Sequence, residues 1–140
     1  MIWLLLMATS PTLPVPLSIH GWEEVGSQPA VNDPAITMKF WVAPHSIRLL
    51  ADQPHVRTAA ISIETILASG EQANVQSVGH VIDCDARTWQ VDWGAFEFQG
   101  KAYVSYFARD QRGKPKVPEA GNVMAAVIDR VCSSTGEPTE

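Results

Sequence analysis

Three observations predict an α+β fold, an antiparallel β-sheet of about six strands with a C-terminal α-helix packed on one face and linked to it by a disulfide. Apolar and polar residues alternate over most of the chain from Thr37 to Ala108, which is the period of strands with unlike faces. The period becomes helical from Asn122 to Cys132. Cys84 and Cys132, the only two cysteines, fall one in each region.

The elements follow in order. A short strand is expected at Trp22–Val25, between Gly21 and Gly26. In Thr37–Ala43, Met38, Phe40 and Val42 alternate with Thr37, Lys39 and Trp41, and Pro44 stops the run. Pro44–Arg48 reads as a tight turn or a single helical turn. From Arg57 to Leu67 the odd positions Ala59, Ile61, Ile63 and Leu67 are apolar, whereas Thr58, Ser62 and Glu64 are polar. That pattern predicts one buried and one wet face.

Alternation resumes from Val75 to Ala86. Val78, His80, Ile82 and Cys84 share the apolar face, opposite Gly79, Asp83, Asp85 and Arg87. Beyond Arg87 the phase flips to Trp89, Val91 and Trp93, through either a β-bulge or a turn near Asp85. Gln99-Gly100-Lys101 resembles a two-residue hairpin signal between Ala95–Gln99 and Ala102–Ala108. Gln111–Gly121, with Gly113, Pro115 and Pro118, is a loop.

In the helix, Val123, Val127 and Val131 form one row and Met124, Ile128 and Cys132 the next, with Asp129 and Arg130 outside the stripe. Asn122 suits the N-cap. So many β-branched residues make a helix that must be held by packing. Lone cysteines 48 positions apart fit a disulfide or two buried thiols. A helix laid on the sheet face that carries Cys84 would bring Cys132 to it, and the spacing predicts a staple.

Length and composition restrict function. The chain has 140 residues, enough for one domain, and at 46% hydrophobic and 18% charged it can build a core. A net charge of −5 argues against nucleic acid and anionic lipid as partners. The densest basic group, Arg109, Arg112, Lys114 and Lys116, lies in the expected loop. Ile2–Ala8 is an apolar run followed by Pro11, Pro14 and Pro16. It is too short to span a bilayer and reads as the apolar core of a secretory signal, although no Lys or Arg precedes it. The expected organisation is therefore a signal or disordered segment at 1–18, one domain at 19–134, and a disordered tail at 135–140.

No catalytic pattern is present. His20, His45, His55 and His80 lack metal-ligand spacing, and His80 reads as a hydrogen-bonded core histidine. Asp83 and Asp85 read as a solvated strand face beside Arg87. Ser46 has no nucleophile elbow. No cofactor or metal is expected. Trp89 and Trp93 are the candidate binding or dimer face, provided they share an uncovered side of the sheet.

The ordered segments Trp22 with Val25, Phe40-Trp41-Val42-Ala43-Pro44-His45-Ser46-Ile47-Arg48, Ile82-Asp83-Cys84-Asp85-Ala86-Arg87, Gly100-Lys101 and Val131-Cys132 resemble the surface-adhesin protein E family of Gram-negative bacteria. The resemblance covers about Trp22 to Cys132. It implies a sheet of about six strands, a C-terminal helix, a Cys84–Cys132 disulfide and a homodimer. It also implies a non-enzymatic protein exported to the periplasm or cell surface, where it binds host extracellular-matrix or serum proteins. The alternative is a periplasmic structural or envelope-associated protein with no host ligand, which the lack of a lipid-attachment cysteine after the apolar run favours.

Overall fold

Long-range strand pairing organises the chain. The structure, a computed structural model, describes residues 19–134 and 137–138, so the expected export segment 1–18 lies outside the described residues. The strands are β1 (Glu23–Pro29), β2 (Thr37–Val42), β3 (Arg48–Leu50), β4 (Gln53–Ile66), β5 (Gln72–Asp83), β6 (Thr88–Phe98), β7 (Lys101–Tyr106) and β8 (Glu137–Pro138), with one α-helix, α1 (Val123–Ser133), before β8. Six strands run in the order β1-β2-β4-β5-β6-β7, every neighbour antiparallel. Within the expected tail, Glu137 and Pro138 pair in parallel with Arg48 and Leu49.

The long β4 is shared along one edge. β2 pairs with Ile61–Ile66, and β3, which the sequence reading did not anticipate, pairs further along with Gln53, Arg57 and Thr58. Between them Pro44–Ser46 makes a single 3-10 turn. The Ser46 hydroxyl donates to the Ala43 carbonyl at 2.7 Å and accepts from the Ala60 amide at 2.9 Å. It thereby satisfies a β4 amide beside the point where β2 leaves the sheet.

Two reversals are set by local chemistry. Gln99 and Gly100 both have positive φ, 53° and 76°, as a type I′ hairpin requires. The register that results places Phe96 opposite Tyr103. The β5–β6 reversal is a turn over residues 84–87, in which the Asp83 carboxylate accepts the amides of Asp85 and Ala86, each at 3.0 Å. Asp83 and Asp85 therefore build a turn instead of forming a carboxylate pair.

The helix starts where the sequence places it, with the Asn122 side chain accepting the Met124 amide at 2.8 Å. Its Val123, Met124, Val127, Ile128 and Val131 are buried against Phe40, Val42, Ala59, Ile61 and Ile82 of the sheet. Cys84 and Cys132 form the disulfide, with Cα atoms 5.7 Å apart.

One expectation is corrected. The polar face of β4 is not wet, because Ser62 is fully buried and Glu64 is 8% exposed. The Ser62 and Ser77 hydroxyls bond each other at 2.9 Å. Glu64 accepts from the Trp41 indole at 3.2 Å and from the Gln72 amide at 2.8 Å. Alternation identified the face correctly but could not reveal that side chains from β2 and β5 would close over it.

Candidate binding surface

Helix α1 reaches β1, β2 and β4, and the polar ties described for it fall on that side or on the β5–β6 turn. Its N-terminal Val123 amide bonds Gln28 at 3.4 Å. Val123 also lies over Gly26, where a Cβ would come within 3.1 Å of its side chain. Arg130 pairs with Glu23, and Asp129 with Arg87 at 2.7 Å. At the C-terminal end, Arg57 donates to the Ser134 carbonyl and to Cys84 Sγ, both at 3.2 Å. A guanidinium there complements the negative end of the helix dipole.

Among the described residues, no helix lies over the far half of the same sheet face. Register decides which residues it displays. On β5, His80 pairs with Val91 but its neighbour Gly79 pairs with Trp93, leaving Asp92 as a bulged residue without a β5 partner. Adjacent residues of a strand point to opposite faces, so Trp89 and Val91 lie on the helix side and Trp93 on the other. The structure does not bring Trp89 and Trp93 together on one face. Trp89 packs against the core, 5.5 Å from the His80 ring, with Lys116 Nζ 4.9 Å from its centroid. Trp93 lies over Gly79, where any Cβ would come within 2.0 Å of its indole nitrogen. Of the two origins left open for the phase change after Arg87, a β-bulge or a turn near Asp85, the structure has the turn at residues 84–87. The bulge at Asp92 is a separate feature that a period-two reading of Trp89, Val91 and Trp93 had no means of seeing inside the run.

The open half instead presents Phe96, Tyr103 and Phe107, which are 46%, 39% and 37% exposed. The Phe96 and Tyr103 rings stack at 5.3 Å and 16°, within the offset-stacked range. Lys101 Nζ stands 5.9 Å from the Tyr103 centroid. Beside the stack is a shallow groove of about 280 Å³, lined by Val78, Val91, Gly94, Phe96, Ser105 and Phe107 among others. The sequence contained a signal for this patch, since counting outward from the Gln99-Gly100 turn puts Phe96 opposite Tyr103.

The polar candidates have structural roles. His80 is buried, its Nδ1 3.1 Å from the Val78 carbonyl, and burial lowers its pKa to about 4, so the ring is neutral at ordinary pH. Ser46 Oγ is held between two backbone groups. Asp92 has one carboxylate oxygen buried without a hydrogen-bond partner. Burial raises its pKa against the opposing pull of Arg112. A cleft of about 230 Å³ touches Ser46, Thr58, Ala60, His80, Asp92 and Trp93. Among the described residues no three His, Cys, Asp or Glu side chains cluster as metal ligands, and no helix is long and apolar enough to cross a membrane.

The class these features define is a disulfide-pinned α+β domain with one half of a sheet face covered by a helix and the other half displaying aromatic residues. Comparison with known structures agrees. The chain is similar to Haemophilus influenzae protein E, with a TM-score of 0.50 and 12% identity over 89% of this chain and 93% of that one. A second crystal form of the same protein gives 0.51 and 12% over 90% and 97%. At that identity the likeness is one of fold, and it agrees with the resemblance read from the ordered segments. No family model matches the chain, and no curated protein does.

Proposed function

We propose that this chain is a non-enzymatic, exported protein-binding domain, and that the open half of its sheet is the binding surface. The observation that carries this reading is the exposed Phe96–Tyr103 stack beside an apolar groove, on the part of the sheet that α1 leaves bare. Large aromatic side chains dominate binding energy at protein interfaces because they bury much area at little entropic cost. Few are left outside a core without reason when their neighbours are equally apolar. The disulfide supports an oxidising compartment. The fold likeness to protein E and the resemblance to the surface-adhesin family support host extracellular-matrix or serum proteins as the partners, at the cell surface.

The test is binding of immobilised matrix and serum proteins by the wild-type domain and by a Phe96→Ala/Tyr103→Ala double variant. Loss of about tenfold or more in affinity is expected, as for removal of interface anchors. A wild-type domain that binds none of them sinks the adhesin reading. Protease shaving of intact cells then separates surface from periplasm, and protection that ends on outer-membrane disruption would favour the envelope-associated alternative.

A further inference from the structure

The two outer edges of the sheet are treated differently by the rest of the molecule. β1 carries a register shift between Glu24 and Gly26, ends in Pro29 and lies beneath α1. A bulge, a proline and a cover are the ordinary means of closing an edge to further pairing. Among the described residues β7 has none of these three, and Lys101 at its start is its one guard of the charged kind. Its sequence, KAYVSY, contains no proline. Its pairing with β6 runs without a shift over Lys101–Tyr106, and four of its six residues are exposed. A row of backbone amides and carbonyls along its outer side has no strand partner among the described residues.

Charge is distributed unevenly about this edge. Residues 101–116 hold Lys101, Arg109, Arg112, Lys114 and Lys116 against a single acid, Asp110, a net +4 in a chain whose total is −5. The rest of the chain is therefore at −9 (−5 minus +4). None of the salt bridges among the described residues uses these five cations. Their positions bracket β7 in sequence, while Arg109 and Arg112 turn back to line a cleft with Val56, Val81 and Gln90. Lys101 begins β7 beside Tyr103. At the other end Lys116 bonds the backbone of Trp89 in both directions at 3.0 Å, and Arg109 and Lys114 lie in the connection between. An edge with cations at both ends and Tyr103, Ser105 and Phe96 between them complements an extended segment with acidic ends and alternating apolar residues. A second copy of this chain pairing β7 against β7 would set these cations against one another.

We propose that β7 is a docking edge for an extended acidic segment of a partner protein, which adds to the sheet as a further strand with its apolar side chains on the Phe96–Tyr103 stack. This deepens the protein-binding reading and rests on it. Main-chain hydrogen bonds along β7 would supply the pairing, the stack would select apolar residues at alternate positions, and the flanking cations would select acidic ends and speed encounter. Six residues of strand span about 20 Å, so the segment recognised is of about that length.

The experiment uses the disulfide-bonded domain and a synthetic peptide with glutamates at both ends and alternating valine and threonine between. Binding is followed by fluorescence anisotropy, and backbone amide exchange is followed residue by residue. The expected result is binding with slowed exchange confined to β7, weakened about tenfold when salt rises from about 0.05 to 0.5 M. The same peptide with lysines for glutamates, or N-methylated at alternate residues to block pairing, should not bind. A Lys101→Glu/Lys114→Glu variant, altered only at exposed residues, should lose about tenfold in affinity. Absence of peptide binding, or binding with no slowing in β7, overturns the proposal. So does equal binding of heparin in competition with the peptide, which would make the site a general polyanion patch, or concentration-dependent β7 protection without peptide, which would indicate self-pairing. If the proposal fails while Phe96→Ala/Tyr103→Ala still abolishes capture of matrix or serum proteins, the protein-binding function stands and only its strand-addition mode falls.

Discussion

The β1–β2–β4 half of the sheet and the β6–β7 half are made from similar strands but finished differently. In the first, apolar side chains of β2 and β4 meet the stripe of α1, so Val42, Ile61, Val127, Ile128 and Val131 are all fully buried. In the second, Trp89 still packs against the core, but Phe96, Tyr103 and Phe107 on the same face stay partly exposed, with Phe96 and Tyr103 stacked on each other. One half accounts for stability and the other remains available for contact. On the proposed binding function the separation is physically sensible, since contact surfaces are drawn from the less stable parts of a fold.

The largest test of this difference is the disulfide. Cys132→Ser should cost about 4 kcal/mol by the loop-closure relation for a 48-residue separation. Reductant should destabilise the wild type by a similar amount, read as a lower thermal midpoint. A midpoint indifferent to reductant would mean that packing alone holds the helix half.

His80, below the junction of the two halves, should make stability depend on pH. Its folded pKa of about 4 lies below the ordinary 6.5. Between those values the unfolded chain takes up a proton that the folded one refuses. Stability should therefore be level above pH 6.5 and fall as pH drops toward 4, by about 3 kcal/mol at most. Urea titrations across that window should show the decline, and His80→Gln should flatten it.

Gly79→Ala should destabilise by about 1–3 kcal/mol, because the new methyl would occupy the place of the Trp93 indole. Trp93 fluorescence should shift as the ring is displaced, and an unchanged spectrum and midpoint would place that ring elsewhere.

The smallest effect on stability belongs to the open half. Phe96→Ala or Tyr103→Ala should change the unfolding free energy by only about 0.5–1.5 kcal/mol, the worth of a partly exposed aromatic pair, while removing most of the binding. A loss as large as that of Cys132→Ser would show that the two halves fold as one indivisible core.

Much of this was legible in advance because it depends on neighbours in sequence. Period-two alternation located β2, β4 and β5, Asn122 and the helical stripe located α1, and the Gln99-Gly100 pair located the β6–β7 hairpin. Other features are decided by residues far apart. β3 is too short to have a period and exists because β4 is long enough to hold a second partner on one edge. The buried state of Ser62 and Glu64 depends on Ser77, Trp41 and Gln72 arriving from other strands. The split of Trp89 from Trp93 depends on a bulge that β5 imposes through Gly79 and His80.

By itself, then, the sequence determined the kind of fold, the helix and its cap, the hairpin turn and the pairing of the two cysteines. Each follows from local backbone preference or from an apolar face that must be covered. Only the tertiary structure decided which half of the sheet the helix covers and which aromatic residues are left outside. Those outcomes follow from strand order and register, quantities carried by hydrogen bonds between distant segments, where a shift of one residue exchanges the buried face for the exposed one.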